Sequence, residues 1–184
     1  PVHMFDKRQI ASLNLAEYTH LVLVGGNHAN FGSRIEQIDN WVRDGGTLVG
    51  IRQGAQWAHN NILYRDYDSA EVDEDNEGSQ RFNYGNKDDI EAQDIIGGAI
   101  MEGDLDITHP IGYGMTNRNI ASHRNTLIAF ERPENPWATV VEIPDNPLLS
   151  GFASTENQAA LAGKASVIAE RHGRGSVVLF SDNP

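Results

Sequence analysis

Two short apolar runs, separated by an amphipathic stretch, mark the first third of the chain. Residues 21–24 (LVLV) end in Gly25-Gly26, a pattern typical of a strand that is buried on both faces and central in a parallel sheet. Residues 35–42 carry apolar side chains at helical spacing, with Ser33 as the predicted N-cap and Gly45-Gly46 as the stop. A second strand is predicted at 47–51. The pattern therefore indicates a strand–helix–strand crossover.

Short elements continue through the rest of the chain. We expect helices at 53–61 and 155–161, a turn at 109–114, and short β runs at 99–101, 105–107, 126–130, 138–143, 166–169 and 176–180, the last two joined by a tight turn. The sum is an α/β fold, predicted as one domain over residues 1–184. We expect a flavodoxin-like three-layer sandwich with a mainly parallel sheet and antiparallel additions near the C-terminus.

The charge of the chain is concentrated in one region. The net charge is −12, and residues 66–106 hold 14 acids against 2 bases. Such an acidic band repels phosphate backbones, so nucleic-acid binding is not expected. Periodicity fails over about 63–96, which predicts an acidic surface excursion. Its Asp73, Asp75 and Glu77 open like a calcium loop, but Tyr84 stands where a bidentate glutamate belongs, so an EF-hand is rejected and weak cation binding stays open.

Several kinds of chemistry are excluded by residue type. The chain has no cysteine, so disulfides, thiolate zinc sites and a cysteine nucleophile are ruled out. No apolar run has the roughly 18 to 20 residues that cross a bilayer, so we predict no membrane association. No metal site is predicted in this chain. His28, His59 and His123 have no carboxylate or serine at telling spacing, and we expect them to be surface or capping histidines.

The most informative motif is Gly50-Ile51-Arg52-Gln53-Gly54, in which a predicted strand runs directly into a predicted helix. Its pattern is that of the glycine-flanked nucleophile elbow of α/β enzymes, with arginine in the central position. A guanidinium is protonated at any physiological pH and cannot attack a carbonyl.

Five segments, read in order, carry a resemblance: YTHLVLVGGNH, IDNWVRDGGTLVGIRQGAQWA, LDITHPIGYG, NPLLSGF and LAGKASVIAERHGRGSVVLFSDNP. Together they resemble the class I glutamine amidotransferase-like domain that follows the catalytic domain in a group of bacterial zinc carboxypeptidases related to carboxypeptidase A. The resemblance implies a piece of a longer chain that is secreted or periplasmic. It also implies zinc in the catalytic domain of that parent and no cofactor here.

The amidotransferase pattern assigns roles by position. Arg52 stands at the nucleophile, Ser181-Asp182-Asn183 stands where the triad histidine belongs, and Gly25-Gly26 matches the turn that builds the oxyanion hole. Tight strand-to-loop geometry would by itself explain the two glycines. The resemblance therefore predicts vestigial sites at the elbow (Gly50, Arg52, Gln53, Gly54) and at the oxyanion turn, with no catalytic residue.

Three functional classes follow. The first is a non-catalytic accessory domain of a zinc carboxypeptidase, which would pack on its own catalytic domain or help to form a homo-oligomer. The second is a module that binds an anion or another small ligand in the vestigial pocket through Arg52. The third is an independent hydrolase with an unrecognised nucleophile. For Arg52 itself, the alternatives are an internal salt bridge that plugs the pocket and an external carboxylate or phosphate ligand.

Overall fold

The computed structural model describes residues 2–65 and 95–183. Within these ranges three α-helices accompany eight strands. In chain order the elements are β1 (His20–Leu23), α1 (Ile35–Arg43), β2 (Thr47–Ile51), α2 (Gln53–Ala58), β3 (Ala99–Leu105), β4 (Asn119–Arg124), β5 (Thr139–Glu142), β6 (Leu148–Gly151), α3 (Thr155–Leu161), β7 (Ala165–His172) and β8 (Gly175–Phe180). A π-helical turn, His59–Leu63, directly continues α2.

The sheet is mixed, and most of it is antiparallel. The strand order is β1-β2-β8-β7-β5-β3-β4, with β6 also pairing with β3. Of the pairings among the described strands, two are parallel (β1 with β2, β2 with β8) and five are antiparallel. The sheet curls into a half-barrel with few helices.

The predicted flavodoxin-like three-layer sandwich with a mainly parallel sheet is therefore wrong. A parallel pair needs a long crossover, usually a helix, and α1 supplies one between β1 and β2. In the C-terminal part, β7 and β8 are joined by a two-residue turn at Gly173 and Arg174, which forces them to be antiparallel. The parallel part is thus confined to three strands, β1, β2 and β8.

The first strand also differs from its prediction. Among the described strands β1 lies at the edge of the sheet and not in its centre. Val22 and Val24 are 52% and 60% exposed, so the apolar run is not buried on both faces. A four-residue run contains too few positions to separate an edge strand from a central one.

Of the other local predictions, some agree with the structure and some do not. Helix α1, strand β2, helix α3 and the β7–β8 hairpin lie where the pattern placed them. Arg34 occupies the N-cap position of α1 after a 3-10 turn, Ala29–Arg34, so the predicted Ser33 cap is wrong. The predicted run at 126–130 forms only an isolated bridge between Phe130 and Ala165. Two strands, β4 and β6, were not predicted.

The core positions the elbow. Ile38 and Val42 of α1 are fully buried in one cluster with Leu48 of β2 and Val177 and Leu179 of β8. The cluster also takes in Ala55 and Ala58 of α2. Helices α1 and α2 are therefore fixed by apolar contacts to the parallel part of the sheet.

The described residues bear on two further predictions, the acidic surface excursion and the absence of membrane association. Most of the acidic excursion, with the candidate cation loop at 73–77, lies outside the described residues. Among the residues that the structure does describe, none of the helices has the length and apolarity that a bilayer crossing requires.

A buried ion pair joins β4 to the end of β8. Arg124 is 1% exposed and donates from Nη2 to Asp182 Oδ2 at 2.7 Å. Arg124 also donates to Ser181 Oγ at 2.9 Å and to the Ile128 carbonyl at 2.7 Å, and Ser122 Oγ donates to the same carboxylate oxygen. Breaking a buried pair costs more than forming it gains, because a lone charge is left out of water.

We expect Asp182→Asn to lower the free energy of unfolding by about 3 to 5 kcal/mol, because Arg124 would stay buried without its counter-charge. Asp104→Asn is the matched control, since it removes the carboxylate from an exposed pair with Arg118 and should cost less than about 1 kcal/mol. Urea denaturation of the two variants and the parent chain measures the difference. Equal costs for the two substitutions would contradict the structural role given to the buried pair.

Candidate functional site

The turn between β2 and α2 has the backbone of a strained elbow. Arg52 has φ 55° and ψ −120°, and it is the one non-glycine residue with positive φ among those described. Its N–H donates to the Phe180 carbonyl of β8 at 2.7 Å, and its own carbonyl accepts from Gln56 N–H at 2.9 Å. A side chain in this region of φ/ψ space costs of order 1–3 kcal/mol and persists only where its surroundings enforce it.

The two glycines of the motif are enforced by space. A Cβ on Gly50 would lie 2.5 Å from Ala55 Cα, and a Cβ on Gly54 would lie 2.3 Å from the Leu23 carbonyl oxygen. Neither glycine has a positive φ. Each is needed because α2 approaches the ends of β1 and β2 more closely than a side chain allows. The G-x-x-x-G spacing of the motif thus has a direct structural cause.

The two predicted vestigial sites meet. Gly26 N–H, in the turn after β1, donates to Gln53 Oε1 at 3.3 Å. A Cβ on Gly25 would lie 3.0 Å from the same oxygen. The elbow residue that follows Arg52 therefore uses its side-chain oxygen to occupy the N–H of the predicted oxyanion turn.

A pocket of about 830 Å³ opens beside this contact. It brings together four of the six predicted site residues, Gly25, Gly26, Arg52 and Gln53, whereas Gly50 and Gly54 pack behind it. The remaining lining residues are Asn27, His28, Gln56, Trp57, Asn60 and Asn61. His28, predicted as a surface or capping histidine, lies at this pocket and occupies the N-cap position of the 3-10 turn Ala29–Arg34.

The electrostatics of the pocket are simple. Among the described residues that line the pocket, Arg52 is the one lysine or arginine, and none is an aspartate or glutamate. Five carboxamides surround this cation: Asn27, Gln53, Gln56, Asn60 and Asn61. The pocket therefore offers one fixed positive charge in neutral polar surroundings, although the chain as a whole is strongly acidic.

Of the two alternatives for Arg52, an internal salt bridge is not found among the described residues, and the acids at 66–94 lie outside them. No ion pair among the described residues includes it. Its Nε is buried and has no hydrogen-bond acceptor there. The side chain is half-buried at the pocket, so it is not a freely solvated arginine either. Helix α2 has six residues, and so short a helix adds little dipole of its own.

The position that the resemblance assigns to the triad histidine has a structural role. Asp182 is buried and its Oδ2 is held by Arg124 and Ser122. Burial raises the pKa of the Asp182 carboxyl and lowers the pKa of the Arg124 guanidinium, while the attraction between the two charges opposes both shifts. Neither residue lines the pocket. A lone arginine at the end of a polar run was the only sequence signal for Arg124.

A second cavity, of about 730 Å³, collects ionisable groups that sequence reasoning missed. There His172 Nε2 lies 2.5 Å from Asp39 Oδ1, and Arg43 Nε donates to Asp39 Oδ2 at 2.8 Å. Burial lowers the pKa of His59, which was predicted as a surface or capping histidine; it occupies the C-cap position of α2 and stacks on Phe130. Among the described residues no group of three or more histidines and acids is placed to hold a metal ion.

The elbow predicts an unusual order of stability for substitutions at Arg52. We expect Arg52→Gly to be more stable than Arg52→Ala by about 1 kcal/mol, since glycine relieves the strained φ at a smaller entropic cost. Gln56, three residues into α2, is the control, because Gln56→Gly should be less stable than Gln56→Ala by about 1 kcal/mol. Urea denaturation of the four variants gives the two differences. An alanine variant at 52 as stable as the glycine variant would show that the elbow is unstrained.

Comparisons with known proteins add little. No family model matches the chain, and neither does any curated protein. Among solved structures the chain is similar to the cytoplasmic protein STM3548 from Salmonella typhimurium, with a TM-score of 0.42 and 13% sequence identity. The similarity covers 90% of this chain and 61% of that protein, so the chain spans less than two thirds of its neighbour's length.

Proposed function

We propose that this chain is a catalytically inactive amidotransferase-like domain in which Arg52 has taken the nucleophile position. The observation that carries the proposal is the backbone of Arg52, which sits at φ 55° in a strand-to-helix turn flanked by two spatially required glycines. That is the geometry of a nucleophile elbow. The residue presented there is a permanent cation and has no lone pair to attack a carbonyl.

The other parts of the machinery are engaged in internal contacts. Gly26 N–H, in the oxyanion turn, is bound by the Gln53 side chain. Asp182, at the triad position, is held in the buried pair with Arg124. An oxyanion hole needs donors aimed at the reacting oxygen, and a triad needs a base within reach of the nucleophile. Neither arrangement exists around Arg52 in the part of the chain that the structure describes.

The parent protein in this proposal is a secreted or periplasmic zinc carboxypeptidase. Support comes from the five resembling segments and from the elbow on the parallel strands β1, β2 and β8. The antiparallel part of the sheet gives this proposal no support. The zinc would belong to the catalytic domain, and this domain would pack on it or mediate a homo-oligomer. Among its described residues this chain has no cluster suited to the metal.

A second function, the binding of a small anion, is favoured by one specific observation. Arg52 lines the pocket, and its guanidinium has no carboxylate partner among the described residues. A half-buried cation without a partner loses hydration and gains nothing in return unless an anion reaches it. The proposed ligand is a carboxylate or a phosphate bound from solution.

Catalytic inactivity is tested with the isolated chain. We expect no release of ammonia from glutamine and no release of C-terminal amino acids from peptides by zinc-treated protein, at rates above those of Arg52→Ala. The reason is that the chain has neither a nucleophile at the elbow nor a zinc-ligand motif. Turnover that the unsubstituted chain shows and Arg52→Ala lacks would contradict the proposal.

Anion binding is tested by thermal unfolding in acetate and in phosphate. At ten times the Kd, a ligand of the native state adds about 1.4 kcal/mol, or a few degrees in Tm. We expect this rise in Tm in the unsubstituted chain and not in Arg52→Ala. Arg118→Ala, which removes an exposed arginine far along the chain, should keep it. A rise in Tm that persists in Arg52→Ala, or no rise in the unsubstituted chain, would contradict a site at Arg52.

A further inference from the structure

The pocket at Arg52 is larger and chemically richer than a site for a bare inorganic anion. Its volume is about 830 Å³ and it is open to solvent, so a molecule of monosaccharide size has room in it. A single guanidinium at its wall matches a single carboxylate, which its planar fork binds through two parallel hydrogen bonds. A phosphate dianion would need a second cation, and no other lysine or arginine among the described residues lines the pocket.

The carboxamides around Arg52 have unused hydrogen-bonding capacity. Gln53 uses its Oε1 on Gly26, Asn60 uses its Oδ1 on His59, and Asn61 uses its Nδ2 on the Trp57 carbonyl. The other polar atom of each amide has no partner among the described residues, and the exposed Gln56 has none for either atom. An amide both donates and accepts, as a hydroxyl group does. The set is therefore suited to a ligand with several hydroxyls.

An indole completes the lining. Trp57 is half-buried, and the edge-on contact of its ring with Phe31, at 5.3 Å between centroids, holds it in place. Such a ring provides an apolar surface for the C–H groups of a ligand that is polar elsewhere. The ligand therefore needs a carboxylate, several hydroxyls and an apolar C–H face in one small molecule.

We propose that the pocket binds a sugar acid, a monosaccharide-sized carboxylate of the uronate type. Arg52 binds the carboxylate, the amides of Gln53, Gln56, Asn60 and Asn61 bind ring hydroxyls, and Trp57 packs on the C–H face. This proposal rests on the anion-binding function and specifies its ligand class. It is independent of the parent enzyme and of catalytic inactivity.

Calorimetric titration of the full chain with four probes tests the ligand class: D-glucuronate, D-glucose, acetate and inorganic phosphate. Salt at about 0.1 M keeps the net negative charge of the chain from masking binding. We expect D-glucuronate to bind at least tenfold more tightly than acetate or phosphate, and D-glucose not to bind measurably. Arg52→Ala should weaken D-glucuronate binding at least tenfold.

Gln56→Ala separates the hydroxyl contacts from the charge contact. The side chain of Gln56 is exposed and forms no hydrogen bond within the described residues, so truncating it to alanine leaves the fold intact. We expect this variant to bind D-glucuronate severalfold more weakly and acetate unchanged, while Arg118→Ala binds both as the parent chain does.

The outcomes distinguish the two proposals. If acetate or phosphate binds as tightly as D-glucuronate and requires Arg52, the sugar-acid proposal is wrong and the anion site stands. Glucose binding that does not need Arg52 would overturn both proposals. Both would also be overturned if none of the four probes binds at about 20 mM, a concentration about 20 times the Kd of a weak, millimolar site. An unchanged affinity of Gln56→Ala for D-glucuronate would contradict the hydroxyl contacts.

Discussion

The close approach of α2 to the ends of β1 and β2 is the constraint on which the site depends. Two glycines make it possible, because a methyl group on Gly50 or Gly54 would overlap backbone atoms of Ala55 or Leu23. With α2 so close, the chain has one residue in which to turn from strand to helix. That residue is Arg52, and the hydrogen bonds to Phe180 and from Gln56 hold it at a φ that few side chains adopt.

The elbow also determines which groups meet at the pocket. Because Gln53 begins α2, its side chain reaches the turn after β1 and accepts the N–H of Gly26. Strand β8 lies beside β2, so the residues that follow β8 pass close to the elbow. They lead into the buried ion pair of Asp182 with Arg124. Strand β8 is thus the junction between the parallel and antiparallel parts of the sheet, and the ion pair attaches β4 to the end of this strand.

Local structure was predictable from the sequence, whereas the topology was not. The periodicity around Ile38 and Val42 identified α1, and the turn at Gly173 identified the β7–β8 hairpin, because both signals are short in range. Strand partners depend on the whole chain, and the flavodoxin-like prediction extended one parallel crossover to a sheet that is mostly antiparallel. The site followed the same division. The elbow was visible in a five-residue motif, but Arg124 lies 58 residues from Asp182 and has no local signature.

Arg52 differs from its neighbours in how its polar groups are satisfied. The N–H of Gly26 is bound by an amide oxygen and the carboxylate of Asp182 by a guanidinium, so both positions that the resemblance links to catalysis are stable without a ligand. Arg52 forms no ion pair with the acids that the structure describes, and many of the chain's 26 acids lie outside the described residues. The strained backbone of Arg52 costs free energy, and its buried Nε lacks a hydrogen-bond partner, as Arg124 Nε and Asp182 Oδ1 also do. In the proposed function, an anion from solution would offset these costs and give the arginine a partner.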